Sequence, residues 1–127
     1  MITTNQLTKN FFLSEFACHD GTPVPVELHN NILNLAIQLQ ILRDQIAVPI
    51  NINSGYRTKE YNDKVGGARE SQHLLAKAAD ITTRSLSPKV LAGIIEQMIT
   101  EKKLFFGGIG LYPSWVHVDI RTKRARW

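Results

Sequence analysis

The sequence predicts an α+β domain in which a mainly antiparallel sheet is flanked by helices. Two amphipathic stretches read as helices, and several short alternating stretches read as strands. Their order lacks the regular strand–helix–strand rhythm of a parallel α/β sheet. At 127 residues the chain suits one domain, large enough to bury a core without disulfide staples.

Each element has its own signal. Glu27 to Ile46 reads as the main helix, because Leu28, Ile32, Leu35, Leu39, Leu42 and Ile46 alternate in steps of four and three and so share one face. Pro49 is expected to stop it. "PININS" then reads as a short strand, with Ile50 and Ile52 alternating against Asn51 and Asn53. Arg57 to Val65 reads as a short helix ended by Gly66-Gly67. "AADITT" is a second strand. Ser87-Pro88 supplies a cap followed by proline at the first helical position, opening a helix to about Lys102. Its expected buried face is Val90, Leu91, Ile94, Ile95 and Met98. "FFGGIGLY" reads as a glycine-broken strand or turn. "WVHVDI" is the clearest strand: Val116, Val118 and Ile120 suit the core, while Trp115, His117 and Asp119 share the opposite face and predict an open polar cleft over the sheet.

Composition narrows the function. Hydrophobic content of 43% and charged content of 20% are those of an ordinary globular protein. A single cysteine, Cys18, excludes an internal disulfide. The opening "MITTNQLTKNFF" lacks the basic and apolar regions of a signal peptide, so synthesis in the cytoplasm is expected, with release by another component if the target lies outside. No run approaches the ~18 apolar residues of a membrane span. Much of the net charge of +4 lies in "RTKRARW", as Arg121, Lys123, Arg124 and Arg126. Without interleaved aromatics this reads as a solvated, charged end, and no nucleic-acid partner is expected. Cys18 and His19 are adjacent and form no closed ligand set, so they read as structural; His29 reads as exposed on the outer part of the main helix. "VGGA" lacks the lysine and hydroxyl of a phosphate loop.

The chemistry gathers around "SQHLLAKAADI", where His73 precedes Asp80 by seven residues in apolar company. Extended, that interval spans about 23 Å; in a helix it rises about 10.5 Å. Neither lets both side chains hold one ion through bonds of about 2 Å. A shared metal requires the chain to fold back as a compact loop, which the small residues Ala76, Ala78 and Ala79 permit. A buried polar pair, or two unrelated surface residues, is the alternative. With His117 the pair makes the two-imidazole, one-carboxylate set of catalytic zinc sites, whose fourth position is left to water.

"SQHLLAKAAD" resembles the Ser-x-His-x-x-Gly-x-Ala-x-Asp motif of the zinc D-Ala-D-Ala carboxypeptidase family, which includes dipeptidases, cell-wall endopeptidases and phage lysins. "SGYR" (Ser54 to Arg57) and "HVD" (His117 to Asp119) are similar to two further motifs of its small single-domain branch. So are "SEFACHDG", "VGGARESQH" and Trp127. The resemblance implies one zinc ion held by His73, Asp80 and His117, and a monomeric peptidase acting on peptidoglycan stem peptides. It also implies that Arg57 faces the substrate, where a guanidinium can grip a carboxylate or stabilise an oxyanion. Ser54 and Ser71 either hydrogen-bond in the cleft or shape turns. Two positions depart from the pattern. Ala76 replaces a glycine, which matters if the backbone there needs φ > 0. Ser114 stands where many members carry the acid that serves as general base. Asp119, on the same strand face as His117, is the expected replacement, with orientation of a ligand histidine as its other reading; Glu70 is a lesser candidate. The second functional class compatible with the resemblance is a zinc-bearing binding module of the same fold without peptidase activity, the use that hedgehog signalling domains make of it, with cell wall as the ligand here.

Overall fold

Five strands form one sheet in the order β1-β2-β4-β3-β5 in the computed structural model, which describes residues 4–127. Met1 to Thr3, part of the stretch read as lacking a leader, lie outside the described residues. The strands are β1 (Asn51–Ser54), β2 (Ala78–Thr82), β3 (Gly108–Leu111), β4 (Val116–Asp119) and β5 (Ala125–Arg126). All neighbours pair antiparallel except β3 and β5, which are parallel. Three α-helices accompany them: α1 (His29–Ile46), α2 (Lys59–Lys64) and α3 (Pro88–Thr100). No helix among the described residues is long and apolar enough to cross a membrane.

One face of the sheet carries the core. Ala79, Ile81, Ile109, Val116 and Val118 join the α1 stripe of Ile32, Leu35, Leu39 and Leu42 and the α3 residues Leu91, Ile95 and Met98 in a single buried cluster. The Ser87 cap expected from the sequence is present, its Oγ accepting from Val90 N at the start of α3, whereas α2 starts at Lys59 rather than Arg57 because Thr58 Oγ1 caps it by accepting from Tyr61 N.

The other face is where chemistry is possible, and register assembles it. Asp80 pairs with both Ser54 and His117, and His117 pairs with Gly110, so these four residues form one row across the sheet. One step along the same face, Asp119 lies between Ala78 and Gly108. The glycines that break "FFGGIGLY" are the spaces this row needs. A Cβ at Gly108 would overlap the Asp119 carboxylate, and one at Gly110 would overlap the Trp127 indole.

Several sequence expectations are corrected. The main helix ends at Ile46 as read, but the stop is made ahead of Pro49 by Ala47, in the left-handed region at φ 57 with its N–H on Arg43 O. The expected Glu27 start is a 3-10 turn (Val26–Leu28), and it folds the preceding chain over His29. His29 is therefore buried, its imidazole N–H donating to Val24 O at 3.2 Å. Val90 is half exposed, because successive helical residues point about 100° apart and the α3 stripe is centred on Leu91, Ile95 and Met98. The basic end is not simply solvated. Arg126 belongs to β5, donates Nε and Nη2 to the Glu96 carboxylate at 2.8 and 3.0 Å, and donates Nη1 to Gly107 O. Cys18 is buried, and His19 Nδ1 lies 3.2 Å from the Tyr61 hydroxyl.

Ala76 does occupy the left-handed region, at φ 55, and is fully buried. An L-residue there costs roughly 1–2 kcal/mol. Glycine would relieve that cost but lose a buried methyl worth about 0.8 kcal/mol and add about 0.5–1 kcal/mol of chain entropy. The terms nearly cancel, which explains how alanine stands where the related motif has glycine. Ala76→Gly should therefore shift the denaturant-unfolding free energy by less than about 1 kcal/mol. Ala76→Val, β-branched in the same conformation, should cost more than about 2 kcal/mol.

Candidate metal centre

His73 lies in a 3-10 turn (Gln72–Leu75), while Asp80 is central in β2 and His117 central in β4. The return from His73 to Asp80 is made by the left-handed Ala76, with Ala76 N on His73 O and Lys77 N on Gln72 O. The compact fold-back required for a shared ion is thus present. The turn is also stitched to the segment after β1, since Arg57 N donates to His73 O at 3.0 Å.

The three side chains converge. His73 Nε2 lies 3.2 Å, and His117 Nδ1 3.1 Å, from the same oxygen of Asp80, Oδ1. One ligand atom from each residue falls within 4.8 Å of the others, and all three residues are buried. Tetrahedral ligands about 2 Å from a zinc ion are separated by roughly 3.3 Å, so the spacing fits.

The outer nitrogen of each ring is already committed. His73 Nδ1–H donates to Gly55 O at 2.6 Å, and His117 Nε2–H donates to Asp119 Oδ2 at 2.7 Å. In the neutral tautomers these bonds select, the lone pairs of His73 Nε2 and His117 Nδ1 both point at an anionic oxygen. Three acceptors facing one another in a buried space need a cation, or an added proton, between them. The donor set therefore fits a divalent metal with imidazole and carboxylate preferences, such as zinc.

Electrostatics agree. With no ion bound and a proton taking its place, burial opposes ionisation of Asp80, but hydrogen bonds from protonated His117 and His73 outweigh it and hold its carboxyl well below the usual carboxylate range. Burial likewise favours a neutral His117, yet Asp119 and Asp80 together raise its pKa above the ordinary histidine value.

The supporting residues are less legible in sequence. Asp119 shares the face of His117 as the strand alternation predicts, but it lies beneath the cleft rather than open to it. It is fully buried and accepts four hydrogen bonds: from His117 Nε2, and from Arg121 N, Nε and Nη2. Its carboxyl is held far down by the His117 and Arg121 bonds despite burial. The Arg121 guanidinium in turn lies 5.2 Å from the centre of the Trp127 ring, and that ring is 5.0 Å from the His117 ring. The indole N–H donates to the Tyr112 hydroxyl at 2.8 Å, and Tyr112 stacks on Trp115 at 4.6 Å.

The three candidate ligands open into a cleft of about 400 Å³. One wall is the aromatic group of Tyr112, Trp115 and Trp127; the other is the loop from Val65 to Gln72. Arg57 lines it too, held on three sides: Nε donates to Ser54 Oγ, Nη1 to Asn62 Oδ1 and Nη2 to Asp80 Oδ2, each at 3.2 Å. One hydrogen on each terminal nitrogen is left for a ligand. Ser54 thus lies against Arg57, and Ser71 Oγ accepts from His73 N to cap the 3-10 turn. Asn62 was not foreseen; it is buried, and its amide also donates to Ala68 O. The only sequence signal for it was an asparagine on the inner side of a short helix. Of the acids lining the cleft, Asp80 is one of the three candidate ligands. No hydrogen bond or ion pair engages the other, Glu70, among the described residues.

Residues 6–119 match the peptidase M15 family, in which the zinc D-Ala-D-Ala carboxypeptidases are grouped. The chain belongs to the M15 peptidase family. The match spans β1 to β4 and all three ligand residues, so the family's zinc dependence and the convergence of His73, Asp80 and His117 point the same way. A comparison with curated proteins gives no match.

Two outcomes follow for the M15 centre. Because His117 must lose its inward proton to bind a cation, and its pKa is raised, zinc affinity should fall about tenfold per pH unit once pH drops below that raised value. Competition with a chromophoric chelator across pH 5.5–8 measures this. Asn62→Ala, which strips a buried partner from Arg57 Nη1 and Ala68 O, should cost roughly 1–3 kcal/mol in urea unfolding while leaving zinc stoichiometry at one per chain.

Proposed function

We propose that this M15 member is a monomeric zinc peptidase that hydrolyses peptide bonds in the stem peptides of peptidoglycan, with one ion held by His73 Nε2, Asp80 and His117 Nδ1. The observation that carries the reading is the inward aim of two imidazole lone pairs at one carboxylate oxygen, beside an arginine with hydrogens to spare. Zinc bound there supplies Lewis acidity, lowering the pKa of a water toward about 7 and polarising a carbonyl.

The chain's own residues do the rest. Gly55 O and Asp119 fix the tautomers of His73 and His117, so no reorganisation of the rings is needed. Arg57 directs its free N–H groups into the cleft, beside Asp80, where they stabilise the oxygen that becomes negative as the peptide carbon turns tetrahedral. Ser54 and Asn62 keep that guanidinium from swinging away. Ser71 shapes the turn that presents His73.

The proton acceptor is Glu70 rather than Asp119. A carboxylate that already accepts four hydrogen bonds, with no exposed surface, is too weak a base and too deep to meet the attacking water. Glu70 lines the cleft with both oxygens unengaged, and it can pass the proton to the leaving amine. The Tyr112–Trp115–Trp127 wall excludes water from one side of the bond being cut.

Variants separate these roles. Glu70→Gln should retain zinc and lower kcat on purified muropeptides by about 10²–10⁴-fold. Asp119→Asn should instead weaken zinc binding by roughly 10–100-fold. Arg57→Ala should cut kcat by about 10²–10³-fold with zinc retained. Wild-type protein that holds zinc and binds muropeptides but leaves every bond intact in mass spectra of digested peptidoglycan would instead be a cell-wall-binding module.

A further inference from the structure

Arg121 belongs by sequence to the charged stretch "RTKRARW", but its side chain turns inward. It is 30% exposed, it lines the metal cleft, and it makes three of the four hydrogen bonds that Asp119 accepts. Its position two residues after Asp119 makes this possible. Arg121 N donates to Asp119 Oδ1 at 3.1 Å, closing the short loop that an aspartate forms with the backbone two residues on. The guanidinium then lies along the carboxylate: Nε donates to Oδ1 at 2.8 Å and Nη2 to Oδ2 at 2.7 Å. The start of β3 leaves room for the pair. A Cβ at Gly107 would overlap the Arg121 carbonyl oxygen, as one at Gly108 would overlap the Asp119 carboxylate. The Trp127 ring covers the guanidinium at 5.2 Å.

The fork has a consequence for the ring beyond Asp119. An aspartate held by one bond turns readily about Cβ–Cγ, a torsion with broad wells. A guanidinium bonded to both oxygens fixes the carboxylate plane. Oδ2 is thereby kept 2.7 Å from His117 Nε2, and the imidazole, fastened at its outer nitrogen, keeps Nδ1 aimed at Asp80 Oδ1 at 3.1 Å. The fork also answers the charge of a carboxylate with no exposed surface.

These two contributions, geometry and charge, are separable. A lysine in place of Arg121 would supply the positive charge, but the rotating donors of an ammonium impose no plane on a carboxylate. We infer that Arg121 is a positioning residue of the metal centre: by gripping both oxygens of Asp119 it sets the angle at which the His117 imidazole meets the cation. The inference rests on the metal centre described above and not on peptide hydrolysis.

Competition for zinc with a chromophoric chelator tests it without reference to turnover. Arg121→Gln should weaken zinc binding by about 10–100-fold. Arg121→Lys, which keeps a cation beside the buried carboxylate and so protects the fold, should retain the far-ultraviolet circular dichroism spectrum yet still lose about tenfold or more. An arginine that acts through Asp119 has nothing further to lose once Asp119 is changed. The double variant Asp119→Asn/Arg121→Gln should therefore bind zinc within about threefold of Asp119→Asn alone. Wild-type affinity in Arg121→Lys would reduce Arg121 to a counter-charge and overturn the inference, as would additive losses in the double variant. Unchanged zinc affinity in both single variants, with a raised KM for muropeptides, would make Arg121 a substrate contact and overturn it too. Wild-type protein that takes up no zinc would overturn the metal centre itself, and this role with it.

Discussion

Asp80 is the side chain on which the functional half of the molecule depends. A carboxylate buried on an interior strand of a sheet is expensive unless its charge is answered. Here one oxygen is shared by two imidazole nitrogens and the other takes Arg57. Each of those partners is itself held from behind: His73 by Gly55 O, His117 by Asp119, Arg57 by Ser54 and Asn62. Loosening any of these transfers the cost to Asp80. The polar face behaves as one network whose members cannot be optimised separately.

The sheet provides the rigidity that such a network needs. Ligands on adjacent antiparallel strands are fixed by backbone register, so the Asp80–His117 pairing survives side-chain motion elsewhere. The third ligand comes from a turn and is less constrained by pairing. The chain compensates with Ala76 in a left-handed conformation and with the Arg57 N to His73 O bond. On β3 the glycines leave no side chain above the sheet, and Asp119 and Trp127 fill the vacated space. A strand with little β propensity of its own is thus tolerated because its neighbours supply the packing.

What was legible in the sequence follows from what local patterns encode. Periodicity located α1, α3 and β4, because those elements each bury one face against the core. It placed His117 and Asp119 on one side of β4, but alternation reports the face and not the depth. Only the packing of Arg121 and Trp127 over that end of the strand distinguishes a cleft residue from a buried one. The burial of His29 depends on how the chain before α1 turns, which no helical pattern records. Arg126 pairs with Glu96 thirty residues earlier in the sequence, so its commitment becomes visible only once α3 and β5 are side by side. Ala76 was legible in part: its small size allowed the fold-back, but the positive φ belongs to the turn's geometry.

The depth of Asp119 bears on how acid–base and structural work are divided. A group that orients a ligand must be immobile, strongly hydrogen-bonded and firmly ionised. A group that accepts and returns a proton must be a better base, reachable by water and able to move between the attacking and departing atoms. Four hydrogen bonds and complete burial suit Asp119 to the first task, and the same features disqualify it from the second. Under the proposed peptidase reading, with Ser114 unable to serve, the base comes from the cleft wall. Glu70 follows Gly66, which is at φ 73, and Gly67, on a loop outside the sheet. A carboxylate carried there is free to adjust its distance to the bound substrate, which the rigid β4 would not allow.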